Sequence, residues 1–171
     1  MKYWTSGFGW SLLIAFIMIF LIMLQAAVTA YRTVSVNEAQ QTFNQIMAER
    51  ETLTAFDIFM NNLAASWTLI IPIVGIFPFL VVIYNTGWII GVLSLAYGIY
   101  PAIILQNLIV VGFTEILAYV FLLGENIYLS ALTLTGGGAR ERLPYSLYSI
   151  IIYLIMLFIG AIMEISTIAG A

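Results

Sequence analysis

The sequence predicts an all-α fold: a polytopic bundle of transmembrane helices with about five hydrophobic segments, broken or re-entrant around residues 85–112. Three observations predict it. Hydrophobic residues make up 63% of the 171-residue chain, and mean hydropathy is +1.09. Charged residues are only 8%, against about 25% in soluble domains. The five basic residues (Lys2, Arg32, Arg50, Arg140, Arg142) all fall outside the apolar runs, as expected where those runs lie in lipid. The length allows one integral domain, residues 1–171.

The first run, about residues 7–30, exceeds the roughly 7–15 residues of a signal-peptide core and approaches the roughly 20 that a spanning helix needs. Trp4 and Trp10 at its start and Tyr31 after it suit the two interfaces. Residues 32–60 follow as the one extended polar stretch, with an amphipathic helical segment expected over 36–60. Ser35-Val36-Asn37-Glu38 has capping-box form, in which each side chain meets the other's backbone N–H. Phe43, Ile46, Met47, Arg50, Leu53 and Phe56 recur at helical spacing, and all but Arg50 are apolar. The pattern predicts an amphipathic helix lying on the membrane or on the domain; the alternative is a solvated connector.

A second span is expected over about 63–84. Pro72, Gly75 and Pro78 fall inside it, so a kinked or broken helix is expected, because proline removes a backbone donor. Asn85-Thr86-Gly87 reads as a tight turn. The stretch 88–111 is interrupted at Tyr100-Pro101, and each half is too short to cross alone. Either the first half joins its neighbour, or the two halves dip in and return. A further span is expected over 113–134. A Gly-rich connector follows at 135–143. Its Gly136-Gly137-Gly138-Ala139-Arg140 run lacks the spacing and the Lys-Ser/Thr ending of a phosphate loop. The last span, 144–169, opens on Pro144, at a favoured first-turn position. Five alternating spans group Lys2, Arg140 and Arg142 against Arg32 and Arg50, which favours a cytoplasmic N-terminus; a re-entrant 88–111 reverses the assignment.

The chain contains no Cys and no His. Disulfides, thiol chemistry, the usual zinc sites and His-based triads are therefore excluded. The one lysine, Lys2, is at the terminus, so a Ser–Lys dyad is not expected either. A non-enzymatic protein with no catalytic, cofactor or metal residues is expected. The net charge of −3 and the lack of a basic stripe argue against nucleic acid as a partner. The expected partners are membrane lipids and either further copies of the chain or other membrane proteins.

Glu115 is the leading functional candidate, because an acid deep in an apolar run is costly and marks a cavity, a contact or a site. Three roles are open to it. It can be a proton or cation site, a structural carboxyl near a helix start, where the dipole favours negative charge, or a contact between subunits. Gln106 and Asn107 precede it and are candidates for the same polar core, as are Asn62 and Asn85, which flank the second span. Gly87, Gly91 and Gly112 are candidates for turns and close helix approach.

Three short stretches also carry a family resemblance. Phe59-Met60-Asn61-Asn62-Leu63-Ala64, Tyr84-Asn85-Thr86-Gly87 followed by Gly91, and Gly112-Phe113-Thr114-Glu115-Ile116-Leu117-Ala118 resemble conserved stretches of the stage II sporulation protein M family. The last corresponds to that family's His-Gly-x-x-Glu-x-x-Ala segment. Val111 stands in the His position, and Thr86 is inserted in the family's Asn-Gly turn. The resemblance implies a non-catalytic multi-pass protein of the cell membrane, a scaffold or assembly subunit in which Glu115 takes the family glutamate's place. The sporulating members' role with cell-wall hydrolases does not carry over. A transporter or channel subunit, such as the membrane partner of an ATP-driven exporter, with Glu115 as its ion or proton site, is the alternative.

Overall fold

A computed structural model describes the backbone of residues 6–50 and 52–169 and the side chains of 7–50, 52–106 and 112–166. The protein is all-helical, with no strand among the described residues. Its elements are α1 (Ser6–Thr33), α2 (Val36–Arg50), α3 (Ala55–Ser66), a 3-10 turn at Trp67–Ile70, α4 (Ile76–Tyr97), α5 (Pro101–Val111), α6 (Phe113–Thr135) and α7 (Ala139–Ala169). Four of them, α1, α4, α6 and α7, are long and apolar enough to cross a membrane. Even the shortest, the 22-residue α4, extends about 33 Å at about 1.5 Å per residue, more than a hydrocarbon core of roughly 30 Å.

Small residues set the helix packing. A Cβ on Gly87 would meet the Met23 carbonyl oxygen at 2.5 Å, and one on Gly91 would meet that of Ala27 at 2.2 Å. Both glycines therefore bring backbone against backbone, as small-residue pairs four apart do in membranes. The order of contacts, 87 on 23 and 91 on 27, makes α1 and α4 parallel. The chain must return across the bundle between them. That return is made by α3 and the 3-10 turn, which run antiparallel to α7: Phe59 packs edge-on to Phe158, and the Ser66 and Tyr153 hydroxyls hydrogen-bond each other. At one end of the bundle Phe8 meets Tyr128; at the other, Arg50 pairs with Glu164 at 2.6 Å.

The segment expected as one amphipathic helix over 36–60 is two helices, because there are two caps. Ser35 and Glu38 form the first box, with Ser35 N–H donating to Glu38 Oε2 at 3.1 Å and Glu38 N–H donating to Ser35 Oγ at 3.3 Å. The backbone bond and then the hydroxyl of Ser35 hold the Glu38 carboxyl below its usual range. Thr54 and Asp57 form a second box that restarts the helix. On α2, Ala39 is buried beside Val92, and the Phe43 ring packs 5.0 Å from that of Tyr97.

The helix boundaries after residue 60 also differ from expectation. No continuous span covers 63–84: the chain breaks at 71–75, between the 3-10 turn and α4. Pro72 has no N–H to donate, Ile71 is extended at ψ 110°, and Ile73 takes a left-handed φ of 68°. Only glycine fits at position 75, where a Cβ would lie 1.8 Å from the Thr68 carbonyl oxygen. Asn85-Thr86-Gly87 is no turn but mid-helix in α4, where Gly87 serves packing. The stretch 88–111 does not form a pair of short dipping halves. Its first part completes α4, which stops at Gly98 in the left-handed region (φ 67°), and Pro101 starts α5. Gly112 separates α5 from α6. Helix α7 begins at Ala139 rather than Pro144, so Pro144 lies beyond its first turn and cannot supply the usual i+4 N–H to the Arg140 carbonyl.

Candidate functional site

Helix α6 carries two acids, and the structure treats them differently. Glu115 lies in its first turn and accepts a hydrogen bond from the Tyr119 hydroxyl at 2.9 Å, one turn along the same helix. Gly160 of α7 makes room for it: a Cβ there would sit 3.3 Å from the Glu115 Cβ. One turn further along α7, Glu164 holds Arg50. Glu115 is thus half-buried between α6 and α7 near an ion pair that joins α2 to the end of the bundle.

Glu125 is the more deeply buried acid, 2% exposed. Gly124 beside it lets α1 come close, since a Cβ there would stand 3.2 Å from the Leu12 Cα. Opposite, Arg142, Ser146 and Ser149 of α7 fall four and then three residues apart, on one helical face. Arg142 donates through Nε to Glu125 Oε1 at 2.9 Å and through Nη2 to Oε2 at 2.6 Å. The Ser146 hydroxyl donates to Oε1 at 2.7 Å, and that of Ser149 to Oε2 at 2.9 Å. Each carboxylate oxygen therefore accepts two bonds, which fills its acceptor positions. The guanidinium carbon is 4.6 Å from the Phe8 ring centre, 5.2 Å from that of Tyr128 and 5.8 Å from that of Tyr145, a cation–π surround in place of water.

The next residue, Asn126, holds the broken backbone. Its amide donates to the carbonyls of Leu69 at 2.6 Å and Ile71 at 2.8 Å. Ser130, one turn on, donates to the Asn126 side-chain oxygen and accepts the Ile73 N–H at 2.7 Å. Backbone groups freed by the break at 71–75 thus find side-chain partners, as irregular backbone must wherever water cannot reach.

The residues grouped with Glu115 by sequence are not gathered around it. Asn85 and Gln106 are exposed on α4 and α5. Asn62 is half-buried on α3, where its backbone carbonyl accepts from Ser66 at 2.5 Å. The side chain of Asn107 lies outside the described residues. Gly87 and Gly91 sit at the α1–α4 contact and Gly112 precedes the first turn of α6. Sequence reasoning missed the Glu125 cluster and the Asn126–Ser130 clamp. Two signals were present: a second acid inside an apolar run, and the spacing of Arg142, Ser146 and Ser149. Starting the last helix at Pro144 hid the second by leaving Arg142 in a loop.

Among the described residues no three His, Cys, Asp or Glu side chains stand together as a metal set. Comparison of the chain with protein-family models, with curated proteins and with solved structures finds no match.

Proposed function

We propose that the chain is a non-catalytic multi-pass protein of the cell membrane, a scaffold or assembly subunit that works among lipids with further copies of itself or with other membrane proteins. The saturation of Glu125 supports this reading above all. A carboxylate whose oxygens already accept two bonds each, two of the four from a guanidinium, has no acceptor position left for a passing ion. Its chemistry is to fasten α6 to α7. Five crossings suit the contacts, with the broken stretch 55–75 as the descending pass between α1 and α4. Arg140 and Arg142 lie at the end where α1 starts, and Arg32 and Arg50 lie at the other; Lys2 precedes α1 in the sequence. The small basic excess favours a cytoplasmic N-terminus. The resemblance to the stage II sporulation protein M family points to the same class. Cross-linking in native membranes, followed by purification in nanodiscs, tests the proposal: a defined oligomer or a stoichiometric partner is expected, and a bare monomer in both settings overturns it.

A second reading, a transporter or channel subunit, is favoured by Glu115. Among the described residues it accepts a bond from Tyr119 alone, and it lies a turn from the Arg50–Glu164 pair in a bundle with a broken segment. Ion or proton flux in liposomes that is equal for the wild type and Glu115→Gln removes that reading.

A further inference from the structure

Where the chain leaves its helical path at 69–72, it opens a groove of about 550 Å³ against the first three turns of α7. Leu69, Ile70 and Pro72 form one wall, and Leu143, Leu147 and Ile150 form the other. Ile70, Leu143 and Leu147 are exposed, so the groove opens sideways, on the face that spanning helices present to lipid. At its mouth stands Arg140, the second residue of α7. Arg140 is exposed and makes no ion pair among the described residues. The neighbouring arginine, Arg142, is committed to Glu125, and the Glu141 carboxylate turns back toward Gly138.

We propose that this groove binds one anionic phospholipid, with an apolar chain along the 69–72 wall and its phosphate on Arg140. The volume falls within the roughly 300–1,000 Å³ typical of small-molecule sites. A lone guanidinium at the edge of an apolar slot matches a phosphodiester whose headgroup carries no cation to neutralise it, and can hold it by two parallel bonds. Arg140 is also at the right height. Arg142, two residues on, packs against Phe8 near the start of α1, so the head of α7 lies where the spans end. An apolar helix from another protein would cover the slot but leave the charge unmatched.

The test uses the full chain, stripped of lipid in detergent and exposed to phosphatidylglycerol or phosphatidylcholine, with retained lipid read by native mass spectrometry. One phosphatidylglycerol per chain is expected, held about ten-fold or more tightly than phosphatidylcholine. R140Q is expected to bring the two lipids level, R140K to keep most of the preference, and the groove-filling L147W to lose both. R32Q removes an exposed arginine at the opposite end and is expected to bind as the wild type does. Equal retention of the two lipids by the wild type overturns the proposal. So does an undiminished preference in R140Q, a loss as large in R32Q, or a dimer whose cross-links map to Leu147. Circular dichroism of each variant separates loss of lipid from loss of fold, and should L147W unfold, R140Q against R32Q decides the outcome.

Discussion

Replacing Arg142 with methionine would keep an unbranched apolar stem, remove the guanidinium and strand the Glu125 carboxylate. The two side chains are 4% and 3% exposed, so water screens their interaction very little. Glu125 would lose two charge-assisted bonds, each worth about 1.5–3 kcal/mol, and would keep only the hydroxyls of Ser146 and Ser149. Breaking one side of a buried pair costs about 3–5 kcal/mol in measured cases, in line with that sum. The expected loss for R142M is therefore about 3–5 kcal/mol, read by reversible unfolding in bicelles. The double variant E125Q/R142M no longer buries an unpaired charge and is expected to recover more than half of the loss. If R142M loses less than about 1 kcal/mol, the pair behaves as an exposed one and the burial argument fails. A double variant as unstable as the two single losses added together would refute the coupling.

Two further outcomes are expected. G91A places a methyl 2.2 Å from the Ala27 carbonyl oxygen, so α1 and α4 must part, at a cost of about 1–3 kcal/mol by the same unfolding assay; G9A, with open space around its Cβ, should cost nothing. N126L strands the Leu69 and Ile71 carbonyls, and hydrogen exchange should rise over residues 67–76 while the α1–α4 contact keeps its protection; unchanged exchange there would show that the clamp is dispensable.

The apolar runs and the positions of the basic residues made the membrane class legible, because both follow from the solvent alone. Proline and glycine at 72, 75 and 78 located the break, since a missing donor acts locally. Asn85-Thr86-Gly87 misled for a physical reason. Glycine serves both left-handed turns and close helix contacts, and the demand at Gly87 comes from Met23, far away in sequence. The same holds for the site. Glu125 meets Arg142 17 residues on, beyond a loop, and Asn126 meets Leu69 57 residues back. No local pattern encodes such partners. Glu115 stood out as an acid deep in an apolar run, whereas the partner of Glu125, Arg142, fell in the expected connector 135–143.

The clamp on residues 69–73 has a consequence for biosynthesis. The carbonyls of Leu69 and Ile71 emerge from the ribosome long before Asn126 and Ser130 exist to meet them. Until α6 enters, this unwound stretch can complete its bonding only with water or with the insertion machinery. A nascent polypeptide truncated before residue 126 is therefore expected to be degraded by quality-control proteolysis faster than one that extends past residue 130.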